Sequence, residues 1–358
     1  MEIARAGTSH RRSFLRNTWR SLVGAGVLHG LVGQASQGAS LKPSTQRLTV
    51  ALTHRACLGQ LPLVLARELG FFQAEGLSVD FLELESEAAA FQAVTKGNAA
   101  LASCAYPALI SLQARGQPWR SLVVQTRSPM AVLGVSPRVS AEIKGPADLR
   151  GRRVGILSSG AGGMVLEAYL RRAGLTSADV VRVPGEQATG LIQAFRTGRL
   201  EAIGLSDVGV ASLEQLGEIR VLADTRSQRG TREVFGGLFP GQVVCAPLSG
   251  GGLGTGIAQR VVDALVHTLK WIHTAGPSDL IRSVPEGHLA PDWALYLAAF
   301  EKARDGFSVD GVMPPDAPQT AFVAQKALDA VLMNGARVDL ERTYTNEFAV
   351  KAKIRFRA

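Results

Sequence analysis

The chain has 358 residues, 46% hydrophobic and 19% charged, which suits a folded protein of about two domains and excludes a disordered one. Its net charge of +9 is unevenly placed, but no run of five like charges and no basic–aromatic face occurs, which argues against nucleic-acid binding as a function class. The three cysteines, Cys57, Cys104 and Cys245, lack metal-ligand spacing and read as buried thiols, with a Cys57–Cys104 disulfide as the competing reading.

Residues 1–40 concentrate positive charge, with Arg5, Arg11, Arg12, Arg16 and Arg20 against the single acid Glu2. Ser9-His10-Arg11-Arg12-Ser13-Phe14-Leu15-Arg16 resembles the twin-arginine export motif. A weak apolar stretch, Ser21 to Val32, follows and is too short to remain as a membrane span. Small residues at Gly33/Ala35 or Gly38/Ser40 supply a cleavage pattern. The expectation is a twin-arginine signal peptide over 1–40, the twin-arginine translocase as partner during export, and a periplasmic mature protein. A basic amphipathic helix is the competing reading.

Beyond the leader, Arg47–Thr53 alternates and predicts a first strand, and Leu61–Leu69 predicts an amphipathic helix stopped by Gly70. Leu77–Leu84 predicts a strand, Glu87–Thr95 a helix, Ala99–Ser103 a strand, Tyr106–Arg115 a helix and Arg120–Gln125 a strand. The pattern then restarts. Strands are expected at Ala131–Val135, Arg153–Leu157, Val180–Val183, Ala202–Leu205 and Arg220–Ala223, with helices at Met164–Ala173 and Gly190–Arg196. After Gly230 the chain reads as mainly helical, over Gly256–Thr274, Pro277–Ser283, Ala290–Ala303 and Pro318–Asn334. Two blocks of alternating strands and helices predict an α/β protein with two mostly parallel sheets.

In open α/β sheets, ligands bind outside the carboxyl ends of the strands. The loops at those ends are short and polar or glycine-rich. They nominate His54, Arg55, Ser86, Ser103, Cys104, Ala105, Ser158, Ser159, Gly160, Ala161, Gly162, Gly163, Glu186 and Asp207 as ligand-binding residues. Ser158–Gly163 stands between a strand and a helix, where unpaired N–H groups and the helix dipole suit an anionic group. An ordinary helix start, with glycine needed for tight packing, competes with that reading. Arg55 has the fork that pairs with an anion, or it is a salt-bridged surface residue. Glu186 and Asp207 favour a ligand with donors or an amine, so a zwitterionic solute is also compatible. No cofactor or metal motif is present, and no nucleophile elbow.

Leu61-Pro62-Leu63 leads into Ala66-Arg67-Glu68-Leu69-Gly70-Phe71-Phe72-Gln73-Ala74-Glu75-Gly76-Leu77, close to an A-x-E-x-G-F-F-x-x-E-G-L pattern. Lys96-Gly97-Asn98-Ala99-Ala100, Asp148-Leu149-Arg150-Gly151-Arg152-Arg153-Val154-Gly155 and Thr197-Gly198-Arg199-Leu200-Glu201-Ala202 follow in order. Over about 45–230 the chain thus resembles the nitrate/sulfonate/taurine and thiamine-pyrimidine-precursor group of periplasmic solute-binding proteins of ABC transporters. It departs at Ala100, where aspartate is usual, and at His54-Arg55, where small polar residues are expected.

The resemblance implies a type II periplasmic-binding-protein fold, α/β, with two lobes of mostly parallel sheet flanked by helices and joined by two crossover hinges. Lobe 1 would be 45–130 and 231–358, and lobe 2 would be 131–230. It implies a monomeric, cofactor-free protein that captures a small anionic or aromatic/zwitterionic organic solute by lobe closure and delivers it to an ABC permease. Two alternatives stay open: an enzyme of thiamine-pyrimidine-related metabolism on the same fold, and a module that presents ligand to a sensor. Enzymes of the former kind resemble a cysteine-rich, iron-binding motif that this sequence lacks.

Overall fold

The computed structural model describes residues 45–158, 160–206, 208–248, 253–288 and 292–358; the expected leader lies outside them. Chain order runs β1 (Gln46–Leu52), α1 (Leu61–Glu68), α2 (Phe71–Ala74), β2 (Leu77–Glu83), α3 (Glu87–Thr95), β3 (Leu101–Ala105), α4 (Tyr106–Ala114) and β4 (Trp119–Val124). Then follow β5 (Ala131–Val135), β6 (Arg153–Leu157), α5 (Gly162–Arg171), β7 (Val181–Gly185), α6 (Ala188–Arg196), β8 (Ala202–Ser206), α7 (Val208–Gln215), β9 (Arg220–Asp224) and α8 (Gln228–Phe235). The remainder is β10 (Gln242–Pro247), α9 (Thr255–Thr274), α10 (Pro277–Ser283), α11 (Trp293–Ala303), α12 (Ala317–Lys326), α13 (Ala330–Met333) and α14 (Glu347–Phe356). No helix among the described residues is long and apolar enough to cross a membrane.

Two five-stranded sheets form, in the orders β2-β1-β3-β10-β4 and β7-β6-β8-β5-β9. In the first, β1 is parallel to β2 and β3, whereas β10 is antiparallel to β3 and β4. In the second, β6 is parallel to β7 and β8, whereas β5 is antiparallel to β8 and β9. The α/β two-sheet expectation holds, with one reversed strand in each sheet. The reversed strands are the ones on which the chain enters the second sheet and returns to the first.

β10 corrects the mainly helical reading after Gly230. Gln242-Val-Val-Cys-Ala-Pro is too short to declare its type; the open edges of β3 and β4 decide it. β3 also begins later than expected and runs to Ala105, because Asn98 and Ala99 still donate to Ala93 O at the end of α3. Ser103 and Cys104 therefore lie on a strand and not in a loop. The long helix expected over Pro318–Asn334 breaks into α12 and α13, because Asp329 caps Val331 N and is held there by Arg115 and Ser111.

The chain leaves the first sheet after Val124, enters the second at Ala131, and returns to the first at Gln242. A third segment runs beside these crossings: Arg127 N donates to Gly306 O, Ser308 N donates to Gln125 O, and Thr126 bridges Phe307. Gly306 is pressed between Ser128 Oγ and Arg226 O, an approach that leaves no room for a Cβ. Arg226, with its side chain 4% exposed, binds Asp224 and Glu214, and Glu214 also accepts from Lys302 on α11. α9 buries a stripe of Val261, Val262, Leu265, Val266 and Leu269, and packs against α1 and α14.

Candidate functional site

The carboxyl ends of β1, β3 and β4 and the start of β10 lie together along one edge of the first sheet. After β1 the chain turns through His54, whose φ of +47° is rare for a non-glycine residue. Residues 58–60 form a single turn that runs straight into α1. Arg55 is engaged by the end of β2: its N–H donates to Glu83 Oε1 at 3.0 Å, and its guanidinium lies 3.7 Å from Oε2. With side chains 40% and 48% exposed, this pair is worth at most about 1 kcal/mol, so a stronger anionic partner would outcompete it.

Ser86 caps α3, accepting from Ala89 N at 3.2 Å. Glu87 accepts from Ala105 N at 2.6 Å and so ties the start of α3 to the end of β3. Burial pushes its carboxyl above the usual range, and the Ala105 bond only partly offsets this.

Side-chain alternation separates Ser103 from its neighbours. Ala102 and Cys104 join the core cluster under α3 and α4, where Cys104 Sγ lies 3.6 Å from Cys245 Sγ. The close thiols are thus on adjacent strands β3 and β10, which replaces the Cys57–Cys104 pairing considered from sequence. Burial raises the Cys104 thiol well above its ordinary value, and the neighbouring Cys245 adds to the effect. Ser103 faces the other way. Its hydroxyl donates to Gln60 Oε1 at 2.6 Å and accepts from Gln125 Nε2 at 2.8 Å. Among the described residues, two amide oxygens nearby, Gln125 Oε1 and Gln242 Oε1, are buried without a hydrogen-bond partner.

On the second sheet, Ser158 follows β6 and donates to Glu186 Oε1, after β7, at 2.9 Å. Gly160 has φ +107°, a conformation that favours glycine. Gly162 approaches β8 so closely that a Cβ would lie 2.7 Å from Gly204 O. Tight packing therefore explains Gly162. Ala161 occupies the cap position of α5, and its side chain makes no cap hydrogen bond to the first turn. Ser159 and Asp207, also candidates from sequence, lie outside the described residues.

The two halves of the site meet. Ala161 and Met164, at the start of α5, pack in one cluster with Tyr106 and Leu109 at the start of α4 and with Phe239. Both helices follow carboxyl ends of strands, so the two sheets bring these ends together. The structure thus gathers His54, Arg55, Ser103 and Ala105 on one side and Ser158, Gly160–Gly163 and Glu186 on the other. It assigns Ser86 a capping role and puts the Cys104 thiol in the core. Gln125 and Gln242 were not singled out from sequence; glutamines carry no motif, and only strand pairing brings these two together. A cavity of about 730 Å³ lies elsewhere, along α3 and α4 between Glu87 and Pro247. Among the described residues, no group of three or more His, Cys, Asp or Glu side chains is placed to hold a metal ion.

Residues 59–227 match the family model described as "NMT1/THI5 like". A solved structure of a protein from Bordetella bronchiseptica RB50 is 35% identical with a TM-score of 0.77, over 88% of this chain and 99% of that one. The periplasmic aliphatic sulphonate binding protein SsuA from Escherichia coli shares the fold at 18% identity, TM-score 0.66, over 85% of this chain and 99% of its own. The desulfurization enzyme DSZB does so at 21% identity, TM-score 0.58, over 87% and 99%. Among curated proteins, the 4-amino-5-hydroxymethyl-2-methylpyrimidine phosphate synthase of Uromyces fabae is 27% identical over 175 residues, 48% of this chain. The match covers about half the length of that curated relative, 50%. Binding proteins and enzymes therefore share this fold.

Proposed function

The chain belongs to the NMT1/THI5-like family, and from that premise we propose that it is an extracytoplasmic solute-binding protein that captures a small organic solute between its two sheets. The observation that carries this reading is that the starts of α5 and α4, each following the carboxyl end of a strand, contribute Ala161, Met164, Tyr106 and Leu109 to one apolar cluster. A ligand that touches both sets favours the closed arrangement in proportion to its differential affinity, and the closed form docks on an ABC permease. The contacts proposed on the first side are His54, Arg55 and Ser103. On the second they are Ser158, Ser159, Gly160–Gly163, Glu186 and Asp207. The arginine pair Arg11-Arg12 in residues 1–40 supports export by the twin-arginine route and a periplasmic location.

Small-angle scattering and thermal denaturation over a panel of sulfonates, carboxylates, nitrate, aromatic acids and neutral amides test this. A binder raises the melting temperature and reduces the radius of gyration. A panel in which no compound does either overturns the reading. A second reading, an enzyme on the same scaffold, rests on the half-buried Cys57: a Cβ on Gly59 would lie 2.7 Å from Gln242 Cγ and 3.8 Å from Cys57 Sγ, so this thiol stands beside the amide cluster. Chemical conversion of a bound compound, lost on Cys57→Ser, would favour it.

A further inference from the structure

Gln60, Ser103, Gln125 and Gln242 form a polar seat at the edge of the first sheet, and its hydrogen bonds have a direction. Ser103 has one hydroxyl proton and gives it to Gln60 Oε1. Gln125 must then offer Nε2 to Ser103, which turns its Oε1 away. Gln125 is 0% exposed, so that oxygen is shielded from bulk water and has no partner. Gln242 is the neighbouring residue across β4 and β10, with Gln125 N donating to Gln242 O at 2.8 Å, and its Oε1 is likewise buried without a partner. A buried carbonyl without a donor carries its full desolvation cost, so both oxygens call for donors.

The character of the donor follows from what surrounds the seat. Leu58 and Leu61, in the turn and helix start that carry Gln60, are buried apolar side chains, whereas Val124 and Val243 face the other side of the sheet with Cys104. Among the described residues, none of the hydrogen bonds of Gln60, Ser103, Gln125 or Gln242 goes to a carboxylate. An ammonium here would exchange water for two dipoles, a large desolvation cost without a counter-charge. A sulfonate or nitrate oxygen would face two acceptor oxygens. A neutral N–H has neither problem.

We propose that Gln125 and Gln242 are specificity-determining residues that accept hydrogen bonds from a neutral solute edge carrying N–H donors, such as a carboxamide, a urea or a lactam ring. This deepens the solute-binding reading and rests on it. Isothermal titration of the purified full chain with nicotinamide, uracil, pyridine-3-sulfonate and nitrate tests it, alongside Gln125→Met and Gln242→Met. At least one neutral N–H probe binds the wild type, and each methionine variant weakens it about tenfold, the scale of one hydrogen bond to a buried acceptor. Gln242 is half-buried at the start of β10, so its variant still reads the proposal if Gln125→Met does not fold. N–H probes bound with undiminished affinity by the variants overturn the inference. So does a wild type that binds pyridine-3-sulfonate or nitrate but neither N–H probe, and in that case the carrier reading stands. A wild type that binds none of the four counts against the carrier reading and removes the inference with it.

Discussion

Replacing Gly162 by alanine places a methyl carbon 2.7 Å from Gly204 O and 3.0 Å from Gly204 C, both backbone atoms of β8. Neither can rotate aside, so α5 or β8 must shift. Overpacking of this kind costs about 1–3 kcal/mol. Alanine recovers at most about 1 kcal/mol of helix propensity over glycine, less at a first turn. The net expectation is a loss of about 1–2 kcal/mol.

The next residue is the control. A Cβ on Gly163 meets Ile156 Cγ2 at 3.7 Å and Arg182 Nη2 at 3.9 Å, ordinary contact distances. Gly163→Ala should therefore be neutral or stabilising by up to about 1 kcal/mol. Urea denaturation of the two variants measures both, read as midpoint shifts at unchanged slope. Because the shifted element is the start of α5, Gly162→Ala should also weaken whichever solute the clamp takes. Equal stabilities for the two variants, or a Gly162→Ala protein more stable than the wild type, would refute the close-approach account.

The Asp329 carboxyl, 5% exposed, is held at about 2 by hydrogen bonds from Arg115, Ser111 and Val331 N that outweigh its burial. A lowered folded pKa gives stability that is present above the ordinary carboxylate range and lost as pH falls towards 2. Asp329→Asn should therefore cost about 1–2 kcal/mol at pH 7, allowing for the screened Arg115, and the deficit should shrink between about pH 4 and 2; a deficit independent of pH would be wrong. At the crossings, Arg226→Met should cost about 3 kcal/mol by leaving Asp224 and Glu214 short of their buried partner, against at most about 1 kcal/mol for Lys302→Met. Thermal melts giving the two variants equal losses would refute that ranking. For the thiols, Cys57 should react with a disulfide reagent in the native protein, while Cys104 and Cys245 react only on unfolding. A single rate for all three would contradict their burial.

The order of elements up to about residue 225 was legible because each segment carries its own signal. Alternation marks β1 and β2, and Gly70 with φ +76° stops the run of α1. The later region was harder, since β10 is only six residues and its type depends on partners more than 100 residues away. The same limit applies at the site. Ser158 and the glycines after it are visible because helix starts have a local chemistry, and so the loop was found while the reason for Gly162 was not. Whether that glycine serves a ligand or a neighbour depends on Gly204, which the chain reaches only after α5, β7 and α6.

The sequence by itself therefore determined the two α/β blocks, the family pattern and the loops at the strand ends, because periodicity and turn chemistry are local. The tertiary structure alone decided which groups in those loops still lack a partner. It paired Arg55 with Glu83, turned Cys104 into the core, and, among the described residues, left Gln125 and Gln242 with unused acceptors. Hydrogen-bond satisfaction is a property of several segments brought together in space, and no window along the chain contains it.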